Sequence, residues 1–154
     1  MKKEELLQGI QAGKYDEMLV KLYGQEALTA QKQRYSQAVE KFATLYPERE
    51  DMEVFSAPGR TEVCGNHTDH QHGKVLAAAI NLDAVAVVGF HEDGVIRLHS
   101  EGYPAITVEL ADLAINEAEH GTTKALIRGM AAQFADKGVK IGGFDAYVTS
   151  DVLG

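Results

Sequence analysis

The sequence has one cysteine, Cys64, in 154 residues and no long uninterrupted run of apolar residues. A single cysteine cannot form a disulfide within the chain. The longest apolar stretches, residues 75–80 and 84–90, are too short to span a bilayer, and the charged amino terminus lacks the apolar segment of a signal peptide. We therefore expect a soluble protein in the reducing environment of the cytoplasm.

Positive charge is also scarce. Lys and Arg total 15 against 23 Asp and Glu, which gives a formal net charge of −8. A surface of this sign repels phosphate backbones and anionic lipid, so nonspecific binding to nucleic acid or membranes is not expected. A small anion is still compatible with this charge, because backbone N–H groups and one arginine can hold a phosphate locally.

Apolar residues make up 45% of the chain, enough for a folded core, and their spacing divides the chain into two parts. Residues 1–50 are predicted to form an amino-terminal helical segment. One helical stripe begins at Tyr15 and stops at Gly24, and a second runs over residues 29–46 and ends before Pro47.

Residues 51–154 are predicted to be mainly β and to form one structural unit of the α+β class. Strands are expected at residues 52–57, 75–80 and 84–90, and residues 96–98 and 106–110 alternate as a meander with one face on the core. A helix capped by Thr122 or Thr123, with its apolar stripe running from Leu126 to Phe134, stops at Gly138 and precedes a last strand. That strand begins near Phe144.

The segment from Ala57 to Gly73 concentrates ionisable residues, and their chemistry leaves three interpretations open. His67, Asp69, His70 and His72 are of the types that bind zinc, although no second Cys or His cluster completes such a site. Carboxylates and imidazoles also hydrogen-bond to sugar hydroxyls, and Arg60 offers a fork of donors to an oxyanion. The third interpretation is a solvated polar loop without a function.

The same segment resembles a family signature. Gly59-Arg60, Gly65-Asn66-His67-Thr68-Asp69-His70 and Gly73-Lys74-Val75-Leu76 follow the register of the galactokinase signature, and residues 143–152 resemble the strand that leads into this family's ATP loop. The resemblance covers most of residues 30–154. It implies that residues 51–154 form a truncated GHMP-kinase amino-terminal domain, of the ribosomal protein S5 domain 2-like type, with a mixed or antiparallel sheet and helices.

The resemblance also implies a reaction and a set of site residues. Galactokinases use ATP and Mg²⁺ to phosphorylate the anomeric hydroxyl of galactose. By position, Arg60 matches the arginine beside the reacting hydroxyl, and Asn66, His67 and Asp69 match residues that bind the sugar. Asp69 is expected to be the firmest sugar ligand, because one carboxylate accepts two hydroxyl protons.

Three positions depart from the signature. Asn66 stands in place of a glutamate, His70 in place of a tyrosine and Ala77 in place of a proline. An amide both donates and accepts hydrogen bonds, whereas a carboxylate only accepts them. A site built on hydrogen bonds rejects a sugar that leaves one of them unpaired, so the preferred monosaccharide need not be galactose itself.

The length of the chain limits what the resemblance implies. The family's ATP loop is expected to begin near Gly154, and its catalytic aspartate lies further on, so the chain alone is expected to be inactive and to bind neither ATP nor Mg²⁺. Uncovered sheet surface would favour self-association. A non-catalytic sugar sensor is the alternative function, because fold does not fix activity. The metal-binding loop is the second alternative.

Overall fold

The structure, a computed structural model, describes residues 1–65 and 68–152, including the backbone but not the side chain of Asp69. These residues form four α-helices and a five-stranded sheet, which confirms the α+β class. The elements are α1 Lys3–Gln11, α2 Asp16–Tyr23, α3 Leu28–Leu45, β1 Glu53–Cys64, β2 Leu76–His91, β3 Val95–Ser100, β4 Ile106–Glu109, α4 Thr123–Asp136 and β5 Gly143–Ser150.

The sheet is mixed, with the strand order β1-β2-β5-β3-β4. β3 pairs with β5 in parallel, and the other neighbours are antiparallel. The predicted meander is therefore only partly right, because β3 and β4 form a hairpin but β5 lies between β2 and β3. The burial of consecutive β5 residues, Ala146 and Tyr147, explains this position, since a strand that is buried on both faces belongs inside a sheet.

The amino-terminal helices cover one face of the sheet. Val39 and Phe42 of α3 are fully buried and belong to the same apolar cluster as Val87 of β2 and Tyr147 of β5. The predicted helix boundaries are close to those observed. α2 ends before Gly24, whose positive φ of 86° is a conformation that glycine adopts without a steric cost.

Two predictions about the β region need correction. Residues 58–64 lie in the polar segment 57–73 but belong to β1, which is longer than the strand predicted at 52–57, and the two strands predicted at 75–80 and 84–90 are one continuous strand, β2. Asp83 does not interrupt that strand although it is only 2% exposed. Its carboxylate and carbonyl accept hydrogen bonds from neighbouring side chains, which makes the burial of this charge tolerable.

β1 and β2 extend beyond the rest of the described sheet as a two-stranded arm, formed by residues 60–64 and 76–79. β5 pairs with β2 only from Ala84 to His91, so in the arm the two strands pair with each other. The arm is largely exposed, and both Val63 and Leu76 keep 61% of their surface accessible. It carries Arg60, and its tip is the connection through residues 65–75.

α4 lies near the β4 edge of the sheet. As predicted, Thr122 caps it: its hydroxyl accepts a hydrogen bond from the Ala125 N–H at 3.2 Å. The apolar stripe of this helix is not uniformly buried, because Ala131 is 4% exposed but Leu126 is 64% exposed. None of the helices within the described ranges has both the length and the apolar character that crossing a membrane requires.

Candidate functional site

The connection between β1 and β2, residues 65–75, is called the tip loop below. Thr68 holds its described part together. The Thr68 carbonyl accepts hydrogen bonds from the N–H groups of Gln71 at 3.0 Å and Gly73 at 2.8 Å, and the Thr68 hydroxyl donates to the Gly65 carbonyl at 2.8 Å. A short 3₁₀ turn, Asp69–Gln71, lies between these contacts. One threonine therefore ties together both ends of the signature motif.

The tip loop has glycines at two positions where a side chain would collide with neighbouring atoms. Gly65 has a φ of 124°, and a Cβ there would lie 2.7 Å from Val75. A Cβ at Gly73 would overlap the side chain of Thr68. His72 has a φ of 62°, which costs a non-glycine residue about 1 kcal/mol or more. The fixed glycine spacing of the signature therefore follows from the packing of the loop.

Arg60 lies on the arm, opposite Ala79, and is exposed. The backbone before it is tightly packed, because a Cβ at Gly59 would lie 3.0 Å from Val152 and 3.2 Å from Ile80. Arg60 thus combines a fixed backbone with a guanidinium that a ligand can reach.

The other predicted sugar ligands are Asn66, His67 and Asp69. Asn66, His67 and the Asp69 side chain lie outside the described residues, so their role in sugar binding stays a prediction. The backbone of Asp69 directly follows Thr68 and starts the 3₁₀ turn. The chain therefore brings Asp69 to the same loop that Thr68 fastens.

The metal interpretation rests on four residues, His67, Asp69, His70 and His72. Two of these, His67 and Asp69, have side chains outside the described part of the chain. Across the described residues, no three His, Cys, Asp or Glu side chains come together in an arrangement that could hold an ion. The described residues therefore give this interpretation no support.

Sequence reasoning missed a buried cluster around Asp83. Its carboxylate accepts hydrogen bonds from the Tyr23 hydroxyl at 2.6 Å, from Arg34 Nη1 at 2.7 Å and from the Ser56 hydroxyl. Burial favours the protonated acid, but these donors outweigh it and hold the pKa of Asp83 below its ordinary value. Burial and the hydrogen bond to this carboxylate raise the pKa of Tyr23. An Asp within an apolar run was the signal for such a cluster.

The Asp83 cluster extends to the residues that follow β5. Arg34 Nη1 lies 3.1 Å from the Asp151 carboxylate, and Arg34 Nη2 donates to the Asp83 carbonyl at 2.9 Å. The Asp151 N–H donates to the same carbonyl at 3.0 Å. Because Val152 also packs beside Gly59, the segment after β5 lies against the base of the arm, next to Arg60.

A separate cavity of about 580 Å³ lies between β5, the β3–β4 hairpin and the start of α4. Its walls combine apolar and polar side chains and include Leu98, Glu101, Tyr103, Ile106, Thr123 and Ser150. Glu101 accepts a hydrogen bond from the Thr149 hydroxyl at 2.6 Å, which lowers the pKa of its carboxyl. No residue of β1, β2 or the described tip loop lines this cavity, but Val152 does, and Val152 also packs beside Gly59, so the cavity borders the base of the arm.

The fold is that of the GHMP kinases. The solved structure of Methanococcus jannaschii mevalonate kinase superposes with a TM-score of 0.52 over 68% of this chain and 34% of its own, at 16% sequence identity. At this identity the likeness concerns the fold alone.

Sequence similarity shows which of the GHMP kinases this chain resembles. Residues 40–90 match the family model described as the galactokinase galactose-binding signature. Streptomyces coelicolor galactokinase is 37% identical over 115 residues, which cover 73% of this chain and 29% of that protein. The crystal structure of Lactococcus lactis galactokinase complexed with galactose matches with a TM-score of 0.64 and 27% identity, over 74% of this chain and 30% of that one.

The family model, the relative and the solved structure agree that this chain resembles part of a galactokinase, and it spans 29% to 30% of the length of these galactokinases.

Proposed function

We propose that this chain supplies the galactose-binding part of a sugar 1-kinase, which transfers the γ-phosphoryl group of ATP to the anomeric hydroxyl of galactose or a related monosaccharide. The match of residues 40–90 to the galactose-binding signature supports this proposal. The observation that carries it is the exposed Arg60 guanidinium on an arm whose signature loop is fastened by Thr68.

In this proposal the arm and the tip loop hold the sugar from two sides. Arg60 directs its N–H donors toward the anomeric oxygen and the charge that develops there during phosphoryl transfer. Asn66, His67 and Asp69 bind other sugar hydroxyls. Phosphoryl transfer depends mainly on positioning and on the stabilisation of charge, so a rigid loop with few reactive groups suits the sugar side of such a site.

ATP and Mg²⁺ complete the reaction in the whole enzyme that we propose. Asp151 lies in the segment 143–152, which resembles the strand that leads into the family's ATP loop. Its carboxylate forms an ion pair with Arg34, and its backbone N–H donates a hydrogen bond to the Asp83 carbonyl. We therefore propose that this chain alone neither binds Mg-ATP nor transfers phosphate.

We propose that the sugar is galactose-like. The three positions that depart from the signature, Asn66, His70 and Ala77, determine which monosaccharide is preferred. Ala77 lies on the arm opposite Glu62, and His70 lies in the 3₁₀ turn. Asn66 is expected to donate as well as accept hydrogen bonds. A panel of monosaccharides that differ from galactose at one hydroxyl each would identify the contact that has changed.

Isothermal titration calorimetry with D-galactose tests the proposal. We expect one site per chain, weaker binding for Arg60→Lys, which keeps the charge but loses the planar fork, and the weakest binding for Arg60→Ala. Lys140→Ala is the matched control, because the Lys140 side chain is 88% exposed and pairs only loosely with Glu92 at 3.7 Å. Equal binding by all four proteins would contradict the role of Arg60.

A non-catalytic sugar sensor would give the same titration, so a second assay separates the two functions. The complete gene product, supplied with Mg-ATP and galactose, should form galactose 1-phosphate if the kinase proposal is right. Galactose binding without phosphate transfer by that product would favour the sensor. We also propose a cytoplasmic location, which is compatible with the exposed and unpaired thiol of Cys64.

Self-association of the 154-residue chain is a further part of the proposal. Gly89 faces α3, so its neighbour Phe90 points to the other face of the sheet and is exposed there. α4 adds the exposed side chains of Leu126, Met130 and Phe134. Exposed apolar surface of this extent favours contact with a second copy of the chain.

A further inference from the structure

Asp83 occupies the point where the arm leaves the sheet. It pairs with Pro58 of β1, and the next residue, Ala84, is the first residue of β2 that pairs with β5. The β1–β2 register shifts between Pro58 and Arg60, and such irregularities are places where a strand bends. The direction of the arm is therefore decided at the strand positions around Asp83.

The contacts of Asp83 come from several parts of the fold. Tyr23 belongs to α2, Arg34 to α3 and Ser56 to β1, and all three donate hydrogen bonds to its carboxylate. Asp151, which follows β5, donates to its carbonyl. A buried group with this many partners holds the elements around it in one arrangement.

We propose that Asp83 and Arg34 are positioning residues for the candidate sugar site. They hold the arm at a fixed angle to the sheet and so set where Arg60 stands relative to the sugar. The role in sugar binding rests on the proposed function, whereas the role in ordering the arm does not. Arg60 lies two positions after the residue that pairs with Asp83, and Gly59 packs on Val152 of the segment that Arg34 holds.

The molecule contains a matched control for this proposal. Asp145 of β5 is also buried, at 0% exposure, and it accepts hydrogen bonds from Arg49 at 2.6 Å and from Arg97 at 3.0 Å. It pairs with Gly89 of β2 and Arg97 of β3, which places it toward the opposite end of β2 from the arm. If Asp83 only stabilised the fold, replacing Asp83 or Asp145 would have the same effect on the arm. If Asp83 positions the arm, only its replacement should disturb the order of the arm.

Hydrogen exchange of the full chain measures the order of the arm directly. We expect Asp83→Asn to speed exchange at the amides of residues 60–64 and 76–79, and Asp145→Asn to leave those amides protected. Ser56→Ala and Arg97→Gln are the milder pair, in case the Asn variants fail to fold. Unchanged protection of the arm in both Asp83→Asn and Ser56→Ala, or equal loss in the Asp145 set, would overturn the proposal.

Calorimetric titration with D-galactose on the same proteins tests the effect on the site. Variants of the Asp83 cluster should bind galactose about tenfold more weakly or worse, because a small misplacement of a positioning group is costly. Variants of the Asp145 cluster should bind as the parent chain does, and equal affinity in both sets would overturn the role in the site. If the parent chain itself gives no heat, the proposed function fails, and hydrogen exchange still decides whether Asp83 orders the arm.

Discussion

Gly73 donates its N–H to the Thr68 carbonyl at 2.8 Å, and the Thr68 side chain fills the space that a Cβ at position 73 would need. The pair closes the tip loop around the stretch that carries Asp69 and His70. The glycine of the signature is therefore required by its neighbour within the signature. A bound sugar is not needed to explain it.

Replacing Gly73 with Ala should open the tip loop. The new Cβ would collide with Thr68, so we expect weaker galactose binding with little change in the melting temperature, because the loop lies at the end of the arm and away from the core. Gly129→Ala in α4 is the control, since nothing lies within 4 Å of a Cβ there. That change should stabilise the helix by up to about 1 kcal/mol and leave binding unchanged.

The Thr68 hydroxyl can be tested independently of the backbone. Thr68→Val removes the donor to the Gly65 carbonyl but keeps the shape of the side chain, whereas Thr68→Ser keeps the donor. We expect the valine variant to lose galactose affinity and the serine variant to retain most of it, as measured by calorimetry. Equal affinity in the two variants would show that the hydroxyl does not organise the loop.

The buried carboxylates make the stability of the fold depend on pH. Asp83 and Asp145 have pKa values below the ordinary value of 3.8, because hydrogen bonds from neighbouring groups outweigh burial. Their stabilising contribution is therefore complete above pH 3.8 and is lost as the pH falls below it. Urea unfolding should show a steep loss of stability in that acid range.

The Asp145→Asn variant tests the origin of this acid sensitivity. It leaves Arg49 and Arg97 without their carboxylate, which should cost about 3–5 kcal/mol of unfolding free energy at neutral pH. The gap between the parent chain and the variant should shrink as the pH falls, because protonation removes the same charge from the parent. If the difference in unfolding free energy between the parent chain and the variant stayed constant down to acid pH, Asp145 would not be the origin of the acid sensitivity.

Self-association should depend on the exposed apolar side chains of α4. Leu126→Lys combined with Met130→Lys should lower the mean mass in sedimentation velocity while leaving the melting temperature nearly unchanged, since both side chains are exposed. Ala131→Lys, at a buried position of the same helix, should instead destabilise the fold. A parent chain that sediments as a monomer at high concentration would count against the proposal.

Much of the helical structure could be predicted because the signals were local. Gly24 and Gly138 follow the ends of α2 and α4 with positive φ values, and Thr122 caps α4 through its own hydroxyl. The importance of the segment between Arg60 and Gly73 was also visible, because it carries the family signature.

The buried Asp83 cluster and the order of the strands could not be predicted, because they depend on contacts between distant parts of the chain. Asp83 could be buried only because Tyr23 and Arg34 reach it from helices 60 and 49 residues away in sequence. The insertion of β5 between β2 and β3 likewise depends on pairing with residues far along the chain. Spacing of apolar residues predicts a strand or helix but does not specify its partner.

The central claim is that the sugar binds between the arm and the tip loop, and chemical-shift mapping tests it most directly. A ¹⁵N-labelled chain titrated with D-galactose should show its largest amide shifts in residues 59–62 and 65–73, with those around Asp145 unmoved. Saturable shifts confined to another surface, or none at all at millimolar sugar, would contradict the account.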